Sequence, residues 1–542
     1  MNRSPRYRPD VPADVCLLLE GTFPYVRGGV STWVRQLIEG MPHIRFSIVY
    51  LGADSKTHYE PVYTLPENLV HLETHFLLEE KSAQPTSSLK ERVGEKFSSL
   101  LKAIKRQHSD RTRFEQSECC HASLFEADGK LDECVGRGFA QLLCGDDPIS
   151  SHDLETHDAA WESIRTHYAR APDGLDFNHY FWSVRSMHAP MFKLAEIARR
   201  APIAGVYHSV STGYAGYLGS LIKQQVGAPF IISEHGIYTK ERELDLAQVD
   251  WIPEDYDPYK VGLNDNMNYL RGLWIRFFGS LGRMAYASAN EVFTLYEGNR
   301  KRQIADGADE ARLHIVPNGV DIARYAKARR PAGAPVPPVI VLIGRVVPIK
   351  DIKTFIRTMQ IVHENMPEVE GWLYGPEDED AAYTRECRDL INSIGLAGVV
   401  KFKGFEDPAL IFPKVGLSVL SSVSEGQPLV VLEGFAAGIP AVTTDVGSCR
   451  ELMHGIDETD KALGKAGEVV PIANPEALAR ACMELLVSEE SWRSASRCAM
   501  ARVERYYSDT GMIHRYEQVY ARYLTGIAAS NESIDLHHGR AA

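Results

Sequence analysis

Two rhythms alternate along the chain. Short unbroken apolar runs bounded by Gly, Pro or Asn give way to longer stretches with apolar residues every three or four positions. Runs of the first kind suit strands buried on both faces, and stretches of the second kind suit amphipathic helices. The series opens with a strand at 14–20 and a glycine-bearing loop at 21–29. Val30, Trp33, Val34, Leu37 and Ile38 then recur at helical spacing. Further strands are predicted at 202–208, 229–233, 291–295 and 313–321, the last closed by an Asn318-Gly319 turn. Helices are predicted at 212–226 and 297–304. From about 75 to 180 the rhythm fails, and that stretch is expected to be an insertion of helical pieces offering a partner surface.

The segment 329–338, Arg-Arg-Pro-Ala-Gly-Ala-Pro-Val-Pro-Pro, is dense in Pro and Gly and marks a linker. Beyond it the alternation resumes, with strands predicted at 339–343, 371–375, 399–403, 416–421, 441–444 and 468–470 and a helix at 352–365. Strand–helix alternation implies parallel sheets with right-handed crossovers. The expectation is therefore an α/β protein of two Rossmann-like domains. The first spans 1–328 and the second 339–505; a helix at 506–530 braces them, and 531–542 is expected to be disordered. Met512, Tyr516, Val519, Tyr520 and Tyr523 form the apolar stripe of that brace.

Length agrees, since 542 residues exceed what one compact core holds. The net charge of -13 argues against a nucleic-acid binder, which needs many cations to neutralise phosphates. A phosphate-bearing ligand must then be met by a few placed cations. The nine cysteines are scattered and are expected to be reduced thiols. His108, Cys119, Cys120 and His121 match no usual zinc spacing, so no metal site is expected. No apolar stretch approaches the ~20 residues of a membrane span. A cytoplasmic protein is expected, held at the inner face of the inner membrane by partner subunits if it works there.

The candidate chemistry centres on Ser424-Glu425-Gly426-Gln427-Pro428-Leu429-Val430-Val431-Leu432-Glu433, placed as the turn and helix after the strand at 416–421. Pro428 marks the helix start and Gly438 its end. The Leu429 and Val430 amides at that start suit an anion, and Glu425 and Glu433 suit sugar and ribose hydroxyls. Arg345 and Lys350 follow the strand at 339–343, at the same carboxyl edge of the sheet, where two cations neutralise a diphosphate. In the first domain, Gly28-Gly29 lets a ligand approach the backbone, although the full G-x-G-x-x-G fingerprint is absent. A dinucleotide oxidoreductase is correspondingly disfavoured. His208, Glu234, His235 and Tyr238 sit at or just beyond strand ends, where binding residues gather.

Gly344-Arg345 with Lys350, and Glu425 with Glu433, resemble the retaining glycosyltransferases of family four, two-domain GT-B enzymes of the glycogen-synthase kind. The stretches 20–33 and 233–242 resemble, more narrowly, the PelF group of Pel exopolysaccharide assembly. The resemblance covers nearly the whole chain. It implies a GT-B fold whose two Rossmann-like domains face each other across a deep cleft. It implies a UDP-sugar donor, UDP-glucose above all, no divalent metal or other cofactor, a saccharide acceptor, and membrane-embedded Pel assembly subunits as partners. Arg345 and Lys350 would hold the pyrophosphate, assisted by Gly28, Gly29, Gly426, Leu429 and Val430. Glu433 would take the ribose and Glu425 the sugar's 3- and 4-hydroxyls. His208 would lie near the transferred sugar, although its Tyr-His-Ser context departs from the His-x-His of many relatives. Glu234, His235 and Tyr238 are the acceptor-side candidates. A UDP-sugar epimerase and a nucleotide-sugar-sensing scaffold subunit are the alternatives.

Overall fold

A computed structural model describes residues 12–53, 60–78, 133–145, 148–156, 158–248, 263–331 and 333–538. In the first half the strands are β1 (Ala13–Glu20), β2 (Phe46–Gly52), β3 (Leu69–Phe76), β4 (Ala204–Ser209), β5 (Phe230–Glu234), β6 (Glu291–Thr294) and β7 (Leu313–Ile315). They form one parallel sheet in the order β3-β2-β1-β4-β5-β6-β7. In the second half β8 (Val339–Ile343), β9 (Glu370–Tyr374), β10 (Val400–Phe402), β11 (Leu417–Leu420), β12 (Ala441–Thr444) and β13 (Gly467–Val470) form another, ordered β10-β9-β8-β11-β12-β13. Both sheets are parallel and covered by helices, which explains why their strands are apolar on both faces. Two α/β lobes result, as the alternation of patterns predicts.

Each sheet reverses its direction of growth once, between β1 and β4 in the first lobe and between β8 and β11 in the second. Crevices open at the carboxyl ends of strands flanking such a reversal. The loop at 21–28 leaves β1, and the Arg345–Lys350 and Ser421–Pro428 segments leave β8 and β11. The sheet orders therefore bring the sequence's main binding candidates to switch points.

Three expectations are corrected. The strand predicted at 313–321 stops at Ile315, and Asn318-Gly319 is no hairpin turn. A Cβ on Gly319 would stand 2.4 Å from the Asp509 Cα, so glycine is needed there for close passage of another segment. Val320 bridges Ser508 at that crossing. The tail expected to be disordered from 531 is helical within Asp509–His538, because Asn531-Glu-Ser-Ile-Asp-Leu-His-His538 contains no Gly or Pro to stop it. The insertion includes helices Glu133–Cys144, Ser151–Thr156, Asp158–Tyr168 and Phe177–Ala198, the last continuing past the expected limit of 180. His108, Cys119, Cys120 and His121 lie outside the described residues.

The apolar stripe of the last helix packs into the first lobe. Met512, Tyr516, Val519 and Tyr520 join Trp33, Leu37, Ile48 and Phe293 in one first-lobe core. The second lobe contains a buried ion pair. Arg502 Nε donates to Asp460 Oδ1 at 2.6 Å, and its other nitrogens reach the carbonyls of Leu452, Met453, Asp460 and Gly464. Both side chains are fully buried, so this satisfaction is what makes the charges tolerable.

Candidate active site

The helix Leu429–Ala436 begins with no side-chain cap and with Pro428 before it, so its first amides face outward from the turn. Across the cleft the helix Gly29–Gly40 also begins without a side-chain cap. A Cβ placed on Gly29 would lie 3.7 Å from the Leu429 Cδ1, so the two helix starts confront each other between the lobes. Gly28 has φ 165, ordinary extended backbone, and a Cβ there would meet nothing within 4 Å. Its value lies in open approach and not in an unusual dihedral. Two positive helix ends facing one gap suit an anion.

Lys350 and Glu425 meet beside this gap. Lys350 Nζ donates to Glu425 Oε1 at 2.5 Å, and Ser422 Oγ donates to the same oxygen at 2.6 Å. Their loops are stitched together: Ser421 Oγ reaches the Lys350 and Asp351 carbonyls, and the Val423 amide reaches that of Ile349. Asp351 has φ 44, a left-handed conformation that is costly for a non-glycine residue. It caps the helix Ile352–Asn365 by accepting from the Thr354 amide, which pins the turn carrying Lys350. Arg345 is more exposed and pairs with Glu379 at 2.9 Å. Beside it an open cavity of about 530 Å³ is lined by Gly375, Pro376, Glu377, Asp378, Gly404 and Phe405, among others.

Glu433 lies farther along the helix. Burial lifts its carboxyl above the usual range, opposed by a hydrogen bond from the Tyr325 hydroxyl and by the Arg324 charge. Neither Tyr325 nor Arg324 is picked out by the sequence, because both fall in the segment predicted to trail a turn.

The second lobe touches the first at Gly426. A Cβ there would stand 2.6 Å from the His235 carbonyl oxygen, and Asn299 Nδ2 donates to that same oxygen at 3.2 Å. Next to it, Gln427 Oε1 accepts from the Asn318 amide at 2.6 Å. The His235 ring packs edge-on to Trp33, and its Nε2 is buried with no hydrogen-bond partner among the described residues.

His208 is placed differently from its expected role. Its ring is fully buried, Nδ1 bonds to the Tyr520 hydroxyl at 2.7 Å, and Nε2 bonds to Ser233 Oγ at 2.8 Å. Ser233 Oγ in turn meets the Tyr516 hydroxyl at 2.8 Å. A histidine with both nitrogens engaged inside a core joins the last helix to β4 and β5; it offers no group to a sugar. Glu234 is also inward: it accepts from Thr212, Tyr286, Gln303 and the Tyr238 amide. Tyr238 donates to Glu20 at 3.0 Å and is buried. Of the acceptor-side candidates, His235 alone stands at the lobe contact with an open nitrogen. Among the described residues, no group of three or more His, Cys, Asp or Glu side chains could hold a metal ion, and no helix is long and apolar enough to cross a membrane.

Residues 13–311 match the protein family described as "Domain of unknown function (DUF3492)". The chain belongs to the DUF3492 family. Residues 337–488 match the family described as "Glycosyl transferases group 1", so the lobe holding Arg345, Lys350, Glu425 and Glu433 is a glycosyltransferase group 1 domain. A D-inositol 3-phosphate glycosyltransferase of Actinosynnema mirum is 28% identical over 266 residues, covering 46% of this chain and 58% of its own length. This DUF3492 chain thus spans little more than half of that relative. Among solved structures, a sucrose-phosphate synthase from Thermosynechococcus elongatus superposes with a TM-score of 0.55 at 16% identity, covering 95% of this chain and all of that one. Anabaena HepE, solved in complex with UDP and glucose, superposes with a TM-score of 0.52 at 13% identity, covering 94% of this chain and 99% of its own. These likenesses establish the GT-B fold of the DUF3492 chain.

Proposed function

We propose that the protein is a retaining glycosyltransferase that takes a hexose from a UDP-sugar, UDP-glucose first among them, and adds it to a growing exopolysaccharide of the Pel type. The observation that carries this reading is the meeting of Lys350 and Glu425 beside the uncapped start of helix Leu429–Ala436, opposite Gly29. A cation, a hydroxyl-seeking carboxylate and two confronting helix ends suit one ligand class, a sugar nucleoside diphosphate. The nucleotide complex of the structural neighbour HepE and the resemblance to the PelF group support the donor and the acceptor respectively.

The mechanism follows from charge. Breaking the anomeric bond leaves a sugar cation and a departing diphosphate. Lys350, Arg345 and the Leu429 and Val430 amides stabilise the leaving group where its charge develops. Lys350 supplies a mobile point charge, and Arg345 supplies a planar fork that must leave Glu379 to reach phosphate. Glu425 orients the sugar through its 3- and 4-hydroxyls, and Glu433, held by Tyr325, takes the ribose hydroxyls. His235 replaces His208 as the first-lobe histidine facing the sugar, because its Nε2 is the one awaiting a partner. The leaving phosphate accepts the acceptor's proton on the same face, which retains configuration. Two side-chain cations and the helix amides would take the part a divalent metal plays, so the reaction should proceed in EDTA.

A thermal-shift panel over UDP, UDP-sugars, ADP-sugars and NAD tests the reading. UDP and UDP-glucose should raise the Tm and NAD should not. A panel without any shift from a nucleotide sugar refutes the donor site. Product analysis from UDP-glucose with and without saccharide acceptor separates transfer from epimerisation, and wild-type protein that binds UDP-glucose without turning it over would leave only a sensing role.

A further inference from the structure

The two lobes also touch at the cleft mouth. There the Arg27 guanidinium lies over the Phe405 ring, 5.5 Å from its centroid. Phe405 is 68% exposed, unusual for a phenylalanine, and lines the 530 Å³ cavity beside Arg345. Arg27 is exposed, and among the described residues no carboxylate pairs with it, although acidic side chains outnumber basic ones, 72 to 59. The loop carrying it is fixed at its base and open at its tip. Phe23 is fully buried, the Val26 amide bonds to the Thr22 carbonyl, and Ser31 Oγ holds the Val26 carbonyl at 2.6 Å. Two residues after Arg27, Gly29 faces Leu429. The tip is therefore aimed, and it spans from the anion site to the cavity rim.

We propose that Arg27 and Phe405 form a clamp between the lobes that closes over a nucleoside diphosphate bound in the cavity and the adjoining gap. The inference rests on the donor-site reading above. An exposed cation–π pair is weak by itself, so in the empty protein the clamp opens readily. A nucleotide beneath it screens the ring and the guanidinium from water and adds a phosphate for the cation, so the contact strengthens when ligand is present. Arg27 is a donor-binding residue in this account and takes no part in the proton or bond changes.

The test is calorimetric titration of the full chain with UDP, alongside steady-state kinetics, for wild type, Arg27→Ala, Arg27→Lys, Phe405→Ala and the Arg27→Ala/Phe405→Ala double variant. Each alanine variant should bind UDP about five- to tenfold more weakly, the coupling expected of a desolvated cation–π pair. The double variant should be little worse than either single one. Arg27→Lys should fall between, because it keeps the charge without the planar stack. The loss should appear in donor KM and not in kcat. Unchanged UDP affinity in Arg27→Ala, or losses in the double variant that simply add, would overturn the clamp. Wild-type protein that ignores UDP would instead sink the donor site, and the clamp with it.

Discussion

The Lys350 ammonium and the Glu425 carboxylate, 2.5 Å apart, neutralise each other. They come from loops after β8 and β11, so the pair closes the switch point of the second sheet. In the proposed donor complex a sugar nucleotide would part them: phosphate would take the cation, and the sugar's hydroxyls the carboxylate. Neither charge is then left desolvated without a partner, which keeps the exchange inexpensive. In that reading the pair is a holding arrangement for two groups with separate later tasks.

Lys350→Ala should lower turnover at least a hundredfold, since loss of one fixed donor to the leaving group costs about 3 kcal/mol. Glu425→Gln should keep UDP affinity near the wild-type value while turnover falls, because the amide still hydrogen-bonds hydroxyls but cannot offset the sugar's positive charge. Titration with UDP and initial rates measured on the same preparations check both.

In the proposed donor site Glu433 takes the ribose. Glu433→Gln should weaken UDP binding while leaving inorganic pyrophosphate affinity unchanged. Tyr325→Phe removes a donor from a buried carboxylate and should lower stability by about 1–3 kcal/mol, read from urea unfolding.

Acid should loosen the molecule through its buried imidazoles. Burial depresses His208 to about 3, with the neighbouring His235 adding to the effect, and burial alone takes His235 to about 3. The unfolded chain protonates both near 6.5, so it binds more protons than the native state over that interval. Their stabilising contribution is complete above about pH 6.5 and is lost as pH falls toward 3. At pH 5 the loss relative to pH 7 should be about 2 kcal/mol per histidine. A Tm measured from pH 7.5 to 5 should fall, and the fall should be shallower in His208→Gln.

The buried pair in the second lobe should behave asymmetrically. Arg502→Met alone strands the Asp460 charge and should cost about 3–5 kcal/mol, whereas Arg502→Met/Asp460→Leu should recover part of it. Urea midpoints for the two variants decide the point.

Much of the second lobe is legible in its residues. Its strands are short apolar runs with punctuation on both sides, and helix Ile352–Asn365 falls where its periodicity places it. The strand–turn–helix around Glu425 is equally readable, because Pro428 and Gly438 bracket it. The first lobe is harder. β3 lies at the sheet edge and carries His71, Glu73 and His75, so its polar residues mask the strand signal. His208 and His235 look alike in sequence, each at a strand end. Only the Tyr520 hydroxyl, delivered from 312 residues downstream, and Ser233, itself bonded to Tyr516, claim one ring for the core. Arg27 and Phe405 are unremarkable apart from each other, since no local pattern reports a contact between lobes. Tyr325, behind Glu433, is hidden because it lies within one lobe but more than a hundred residues away in the chain.

The last helix starts in the glycosyltransferase lobe's wake and ends as furniture of the other. Its tyrosines are wall, floor and hydrogen-bond terminus for residues encoded hundreds of positions earlier. A gene fragment cut at the family boundary near 311 would therefore encode a lobe with a trench along its centre and a histidine stripped of its companion. Exchange of lobes between related genes has to carry this C-terminal strap along with the half whose interior it completes.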